Sequence, residues 1–254
     1  CLIGLTRLQG VSLRTSLPMM HVWRSVVGVT ALTAWFYAIA NLPLATAMTL
    51  NYMSSVWIAA FLMGGAMLVQ GRNAPLLQQA PLLLTVMAGF GGVAMMLRPT
   101  LGEGQAVGAL VGLMSGIFSA FAYLQVAALA RAGEPEGRTV FYFSIGAVIA
   151  GALGMLFAGV SEWQWPGALW LLPIGVLAVF GQLCMTRAYS SGATMVVANL
   201  QYSGIVFAGL YSLIIFGDQL PLTGWLGMAL IIVSGITATV LRDRAVPNAP
   251  AEDH

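Results

Sequence analysis

The sequence predicts an all-α polytopic membrane protein with eight transmembrane helices, derived from a ten-helix parent of two inverted five-helix repeats. Three observations predict it. Of 254 residues, 59% are apolar and only 7% are Asp, Glu, Lys or Arg, where a soluble domain carries about 25% charged residues. Apolar windows of roughly 20 residues, enough to cross ~30 Å of hydrocarbon, recur along the chain. A three-helix stretch also occurs twice, displaced by an odd number of helices.

The windows place helices at 22–40, 45–69, 81–98, 106–130, 139–159, 169–188, 193–216 and 222–241. With the segment before the first helix in the cytoplasm, Arg7, Arg14, Arg24, Arg72, Arg131, Arg138, Arg187, Arg242 and Arg244 fall inside and only Arg98 outside. That asymmetry follows the positive-inside rule and puts both termini in the cytoplasm. Trp163, Trp165 and Trp170 flank the outer end of the sixth helix and Trp225 begins the eighth, positions where amphipathic rings favour the headgroup level. Trp57 lies deeper, against lipid or a cavity. Residues 245–254, polar and Pro-containing, are expected to be a disordered cytoplasmic tail.

The repeat is read by laying ATAMTLNYMSSVWIAAF (45–61) over ATMVVANLQYSGIVFAG (193–209). Ala45, Thr46, Asn51 and Ser55 then meet Ala193, Thr194, Asn199 and Ser203, each at an offset of 148. Gln70 meets Asp218, and GGVAMMLR ending at Arg98 meets GITATVLR ending at Arg242 after a first-copy loop four residues longer. The copies start on the first and sixth helices, so they cross the membrane in opposite senses, the inverted arrangement of many secondary transporters. This divides the chain into a first repeat, 1–104, shortened at its start, and a second, 105–244. At the same offset residues 1–9 fall on the last third of the fifth helix, which implies a parent with two further helices. The rival reading is a true eight-helix protein with a loose tail at 1–9.

Composition excludes several functions. All ten basic residues are Arg, so a Walker A loop and a Lys Schiff base are absent. Cys1 and Cys184 have no CxxC spacing, and no metal or cofactor is expected. The net charge of +2 is scattered without a basic stripe, which argues against nucleic-acid binding. GLMSG (112–116) is not the GxSxG of a hydrolase, and no predicted span contains a His to activate a serine. Gly108, Gly112 and Gly116 form a tandem GxxxG ridge for close helix packing, with a homodimer as the rarer use.

WFYAIANLPLATAMTLNYMSSVWIAAF, GGVAMMLRP and YSGIVFAGLYSLIIFGDQLPLTGWLGMALIIVSG resemble the two EamA-type repeats of the drug/metabolite transporter superfamily, over essentially residues 1–244. The resemblance implies ten helices, a central substrate cavity that the first helix helps to line, and movement of a small metabolite, often outward, across a bacterial inner membrane. The chain departs from the pattern where family members often carry Pro near Ser55 and an acidic residue at Gln70; the second copy keeps Gly217 and Asp218.

The candidate cavity residues are polar groups at depth. At 1.5 Å per residue Asn51 and Asn199 lie ~9 Å from opposite faces, and Ser55 and Ser203 ~15 Å in, near the midplane. Tyr202 shares the face of Asn199 and Ser203; Ser119 and Tyr123 share a face of the fourth helix; Gln182 lies on the sixth and Tyr37 near the outer end of the first. Buried amides and hydroxyls need partners, so such faces meet water, a solute or another helix. For both Asn residues cavity lining and interhelical bonding stay open, and the serines can bond to a carbonyl one turn back. No acidic residue lies deep in a span, which favours alternating access driven by a solute gradient or exchange. A neutral, zwitterionic or aromatic solute fits best, with Arg187 leaving room for an acidic one. The alternatives are a non-transporting scaffold and, more remotely, a membrane enzyme.

Overall fold

The computed structural model describes residues 12–70, 76–98, 103–159, 165, 167–216 and 221–245. In chain order the helices are α1 (Pro18–Asn41), α2 (Leu44–Tyr52), α3 (Ser54–Gln70), α4 (Leu76–Leu97), α5 (Ala106–Arg131), α6 (Glu136–Ala158), α7 (Leu171–Ser191), α8 (Thr194–Leu200), α9 (Ser203–Tyr211) and α10 (Leu222–Ala245). A 3-10 turn, Gly167–Trp170, leads into α7, and a π turn, Ser212–Phe216, extends α9. The pairs α2–α3 and α8–α9 each make one interrupted span, so the described residues hold eight stretches long and apolar enough to cross a membrane. The protein is a multi-pass membrane protein.

Local chemistry sets the boundaries. Pro18 occupies the first position of α1, where its fixed φ suits a helix and its missing N–H costs nothing. The helix therefore starts four residues before the hydropathy window. Its end is tied by Asn41 Nδ2, which donates to the Tyr37 carbonyl at 2.8 Å, and Pro43 then leads into α2. After α5 the chain reverses at Gly133, φ 81°, in the left-handed region that glycine enters without steric penalty. Pro135 then caps α6.

The chain forms two compact units, Cys1–Thr33 with Phe121–Gly192 and Ala34–Ala120 with Ala193–His254. In the second unit α4 and α10 pack along one another at two glycines: a Cβ on Gly92 would come 2.6 Å from the Gly227 carbonyl, and one on Gly227 equally close to that of Gly92. Around this seam Val93, Tyr202, Ile205, Val206, Met228 and Ile231 form a buried cluster. The glycine ridge of α5 is filled within the same unit, Gly108 by Leu42, Gly112 by Leu50 and Ala38, and Gly116 by the Leu50 carbonyl.

In the first unit the segment before α1 is strapped to the start of α6. Arg138 Nε donates to the Ser12 carbonyl at 2.8 Å, Tyr142 Oη to that of Leu13 at 3.0 Å, and Thr15 Oγ1 to Glu134 Oε1 at 2.6 Å. Glu134 also accepts from Arg138 Nη1 at 2.8 Å and lies 3.2 Å from His21 Nε2. The C-terminal half of α6 and the N-terminal half of α7 expose Leu153, Phe157, Leu172 and Leu177, side chains suited to lipid. Trp165, Trp170 and Trp225 are exposed, and Trp57 is half-buried and stacks on Phe61. The segment 1–9, Arg7, Arg72, Trp163, Glu162, Gly217, Asp218, the tail after Ala245 and the side chains of Gln70, Arg242 and Arg244 lie outside the described residues.

Candidate functional site

The two interrupted spans break at equivalent places. Helix α2 ends at Tyr52 and α8 at Leu200, a difference of 148, the offset of the sequence repeat. At the second break the Tyr202 N–H turns to the Asn199 carbonyl three residues back at 3.1 Å, instead of the Ala198 carbonyl four back that an α-helix would use. The freed Ala198 carbonyl accepts a hydrogen bond from Ser55 Oγ at 2.6 Å. Its repeat mate, the Leu50 carbonyl, is the group that crowds Gly116. The breaks thus meet inside the second unit, with the rings of Tyr52 and Tyr202 6.2 Å apart.

The polar residues expected here occupy distinct positions. Asn199 is buried, donates from Nδ2 to the Ser234 carbonyl at 3.0 Å and accepts from Ser234 Oγ at 3.3 Å. Asn51 is half-buried and donates to Ser115 Oγ and Ser119 Oγ at 3.2 and 3.4 Å. Ser55, Ser119 and Tyr202 are buried, Ser203 half-buried and Tyr37 45% exposed. Asn199 and Ser203 also border a groove of about 360 Å³ along α8, α9 and α10.

The first unit holds the other two, Tyr123 and Gln182. The Tyr123 ring stacks on Tyr189 at 4.9 Å and 6°. Gln182 is half-buried, and its Oε1 is a buried acceptor without a hydrogen-bond partner, as is that of Gln125 on α5. His21 stacks on Tyr142 at 4.6 Å beside the Glu134 clasp. Burial pushes the Glu134 carboxyl up, but hydrogen bonds from Thr15, Arg138 and His21 and the charge of Arg138 outweigh it and hold it below its ordinary value of 4.5.

Sequence reasoning missed Arg24. Counted with the cytoplasmic cations at the inner end of the predicted 22–40 helix, it lies six residues into α1, ~9 Å along the axis, and is only 3% exposed. Its Nε and Nη1 are buried and have no hydrogen-bond partner. The guanidinium carbon instead lies 4.3 Å from the centroid of Phe143. Burying an unpaired ion costs several kcal/mol, and a desolvated cation–π contact offsets about 2 kcal/mol of that. The signal was present in Pro18: read as the first helical position, it starts the helix four residues earlier and puts Arg24 deeper along it. Arg187, the cation that the sequence offered to an acidic solute, is exposed.

Interrupted apolar spans whose breaks meet around polar side chains define a class, the helical membrane transporters. The chain belongs to the EamA-like transporter family, which matches residues 106–240. It is 33% identical over 237 residues to the pseudopaline exporter CntI of Pseudomonas aeruginosa (strain UCBPP-PA14), covering 91% of this chain and 78% of that one. It is 26% identical over 232 residues to a riboflavin transporter of Rhizobium johnstonii, covering 91% and 74%. A solved crystal structure superposes with a TM-score of 0.75 at 18% identity, covering 94% of this chain and 83% of its own, which extends the likeness to the fold. The protein is therefore a membrane transporter of the drug/metabolite type, a function that needs no catalytic centre.

Proposed function

We propose that the protein is a secondary transporter that carries a small metabolite across a bacterial inner membrane by alternating access, as an exporter or exchanger. The observation that carries this is the pair of helix breaks at repeat-related positions, 148 residues apart. Interrupted helices in transporters release backbone groups that hold the solute or its coupling ion. Polar side chains flank both breaks. A relative named as an exporter supports outward movement, and the distribution of Arg supports cytoplasmic termini.

Taken by itself, the second unit offers a solute Asn51, Ser119, Ser203 and Tyr37, while Ser55, Asn199 and Tyr202 shape the breaks from behind. The first unit, taken by itself, offers Tyr123 and Gln182, whose unpartnered Oε1 can accept a solute N–H or O–H. The test is a comparison of metabolites released by cells expressing the protein and by empty-vector cells. Expression should enrich at least one small solute in the medium. Asn51→Leu, at equal membrane abundance, should cut its release about tenfold, the loss of a ~1.4 kcal/mol interaction. An identical release profile with and without the protein would favour a scaffold instead.

A further inference from the structure

We propose that Arg24 is an anion-recognising residue of the transport site and that the solute is a small organic anion, bound through carboxylate or phosphate oxygens. This rests on the transporter reading above and names its substrate class.

The argument starts from an ion without a counter-ion. Arg24 is 3% exposed inside a span, with Nε and Nη1 buried and unpartnered. Among the residues whose side chains are described, Glu103, Glu134 and Glu136 carry carboxylates, and no ion pair joins any of them to Arg24. Glu134 is engaged by Thr15, Arg138 and His21, and Glu136 accepts from Ser190 Oγ at 3.0 Å. A guanidinium is never neutral in a protein, so it cannot escape burial by losing its proton.

The surroundings are built around the charge without neutralising it. One turn along α1 stands Gly28, where any Cβ would collide with Arg24 Nη1 and crowd Phe143 Cε2 at 2.9 Å. The missing side chain lets the guanidinium lie along the helix, over the Phe143 ring at 4.3 Å. Tyr123 is within electrostatic reach of it and stacks on Tyr189. Planar N–H donors beside aromatic faces fit an oxyanion attached to an apolar or aromatic body: the fork binds two oxygens side by side, and the rings take the rest.

The experiment uses the purified full chain in nanodiscs. The thermal-unfolding midpoint is followed against acetate, succinate, citrate, glutamate, benzoate and inorganic phosphate, with benzamide as the neutral counterpart of benzoate, at constant ionic strength. At least one anion should raise the midpoint saturably in discs of pure phosphatidylcholine, and benzamide should not. Arg24→Gln should weaken that anion at least tenfold. Arg24→Lys, which keeps the charge without the fork, should lie between. Gly28→Ala, which leaves Arg24 in the sequence but fills its seat, should weaken binding too.

Equal effects of benzoate and benzamide, anion binding that survives Arg24→Gln, or no response to any anion would each overturn the proposal. An Arg24-dependent rise produced by phosphatidylglycerol and by none of the soluble anions would also overturn it, because the partner would then be a lipid headgroup. If Arg24→Gln does not fold, the wild-type contrast of benzoate with benzamide and the Gly28→Ala variant still decide. Binding without solute release from cells would retire the transport reading and with it Arg24 as a transport residue, leaving Arg24 as an anion-binding site only. Release that is indifferent to Arg24→Gln would retire this inference and leave the transport reading standing.

Discussion

The two units differ in the charge of the buried polar groups they leave without partners. In the second, the amides of Asn51 and Asn199 close on Ser115, Ser119 and Ser234, and the carbonyl freed at one helix break is taken by Ser55. In the first, the carbonyl oxygens of Gln125 and Gln182 and two nitrogens of Arg24 stay buried without partners, whereas the groups so left in the second, Trp35 Nε1, Ser54 Oγ, Trp57 Nε1 and Tyr202 Oη, are all neutral. An unpaired buried polar group carries a desolvation penalty of about 1 to 3 kcal/mol, more when charged. Among the described residues only the first unit leaves a cation in that state; the stability forgone there holds Arg24 ready for something that comes and goes. The contrast sets one buried cation without a counter-ion apart from neutral polar groups.

The largest predicted effect strikes the second unit. Gly227→Val drives a side chain into the Gly92 carbonyl, 2.6 Å from where its Cβ must stand. Backbone cannot rotate away as a side chain can. Overpacking of this kind costs about 3 kcal/mol, and detergent-extracted protein should lose most of its monodisperse fraction in size-exclusion chromatography. Next comes a matched pair, Asn199→Leu and Gln182→Leu. The first removes two hydrogen bonds from a buried site and should lower stability by about 2 kcal/mol, seen as a fall in the thermal midpoint. The second should leave the midpoint unchanged or raise it while solute release falls. If both variants lost stability alike, the division into closed and open polar groups would be void.

One cluster of the first unit is closed, the Glu134 clasp, and acid should open it. Its carboxyl titrates below the ordinary 4.5, so the native state favours the carboxylate. The stability this adds is full above the ordinary value and is lost as pH falls through the lowered one. Glu134→Gln should therefore be less stable than wild type by about 1 to 2 kcal/mol at neutral pH. That gap should close on acidification, which a pair of thermal-unfolding series against pH measures directly.

What the sequence made legible follows from the range of each interaction. The eight spans were readable because hydropathy sums over twenty neighbours, and Asn51 and Asn199 stood out because a duplicated segment displays itself at a fixed offset. Arg24 was lost by the same averaging, since one charge barely lowers a window that the apolar residues beyond it dominate. The Glu134 clasp joins Thr15 to a residue 119 positions away, and no local pattern announces such a pairing. The breaks at Met53 and Gln201–Tyr202 involve no proline and no glycine at the turn itself; they depend on the tertiary contact that occupies the released carbonyl.

That contact sets the smallest effect. Ser55→Ala removes the hydroxyl from the Ala198 carbonyl, a 2.6 Å bond between buried partners. The deserted carbonyl has a remedy that most buried acceptors lack: the Tyr202 N–H, now on Asn199, can return to it if the turn relaxes to α-helical geometry. The expected loss is therefore only about 1 kcal/mol, while the local conformation shifts. Hydrogen exchange would register the difference, with the Tyr202 amide becoming more protected in Ser55→Ala although the protein as a whole is slightly less stable. A Tyr202 amide that exchanges faster in step with the global loss would mean that the break is built into α8 and α9 and owes nothing to Ser55.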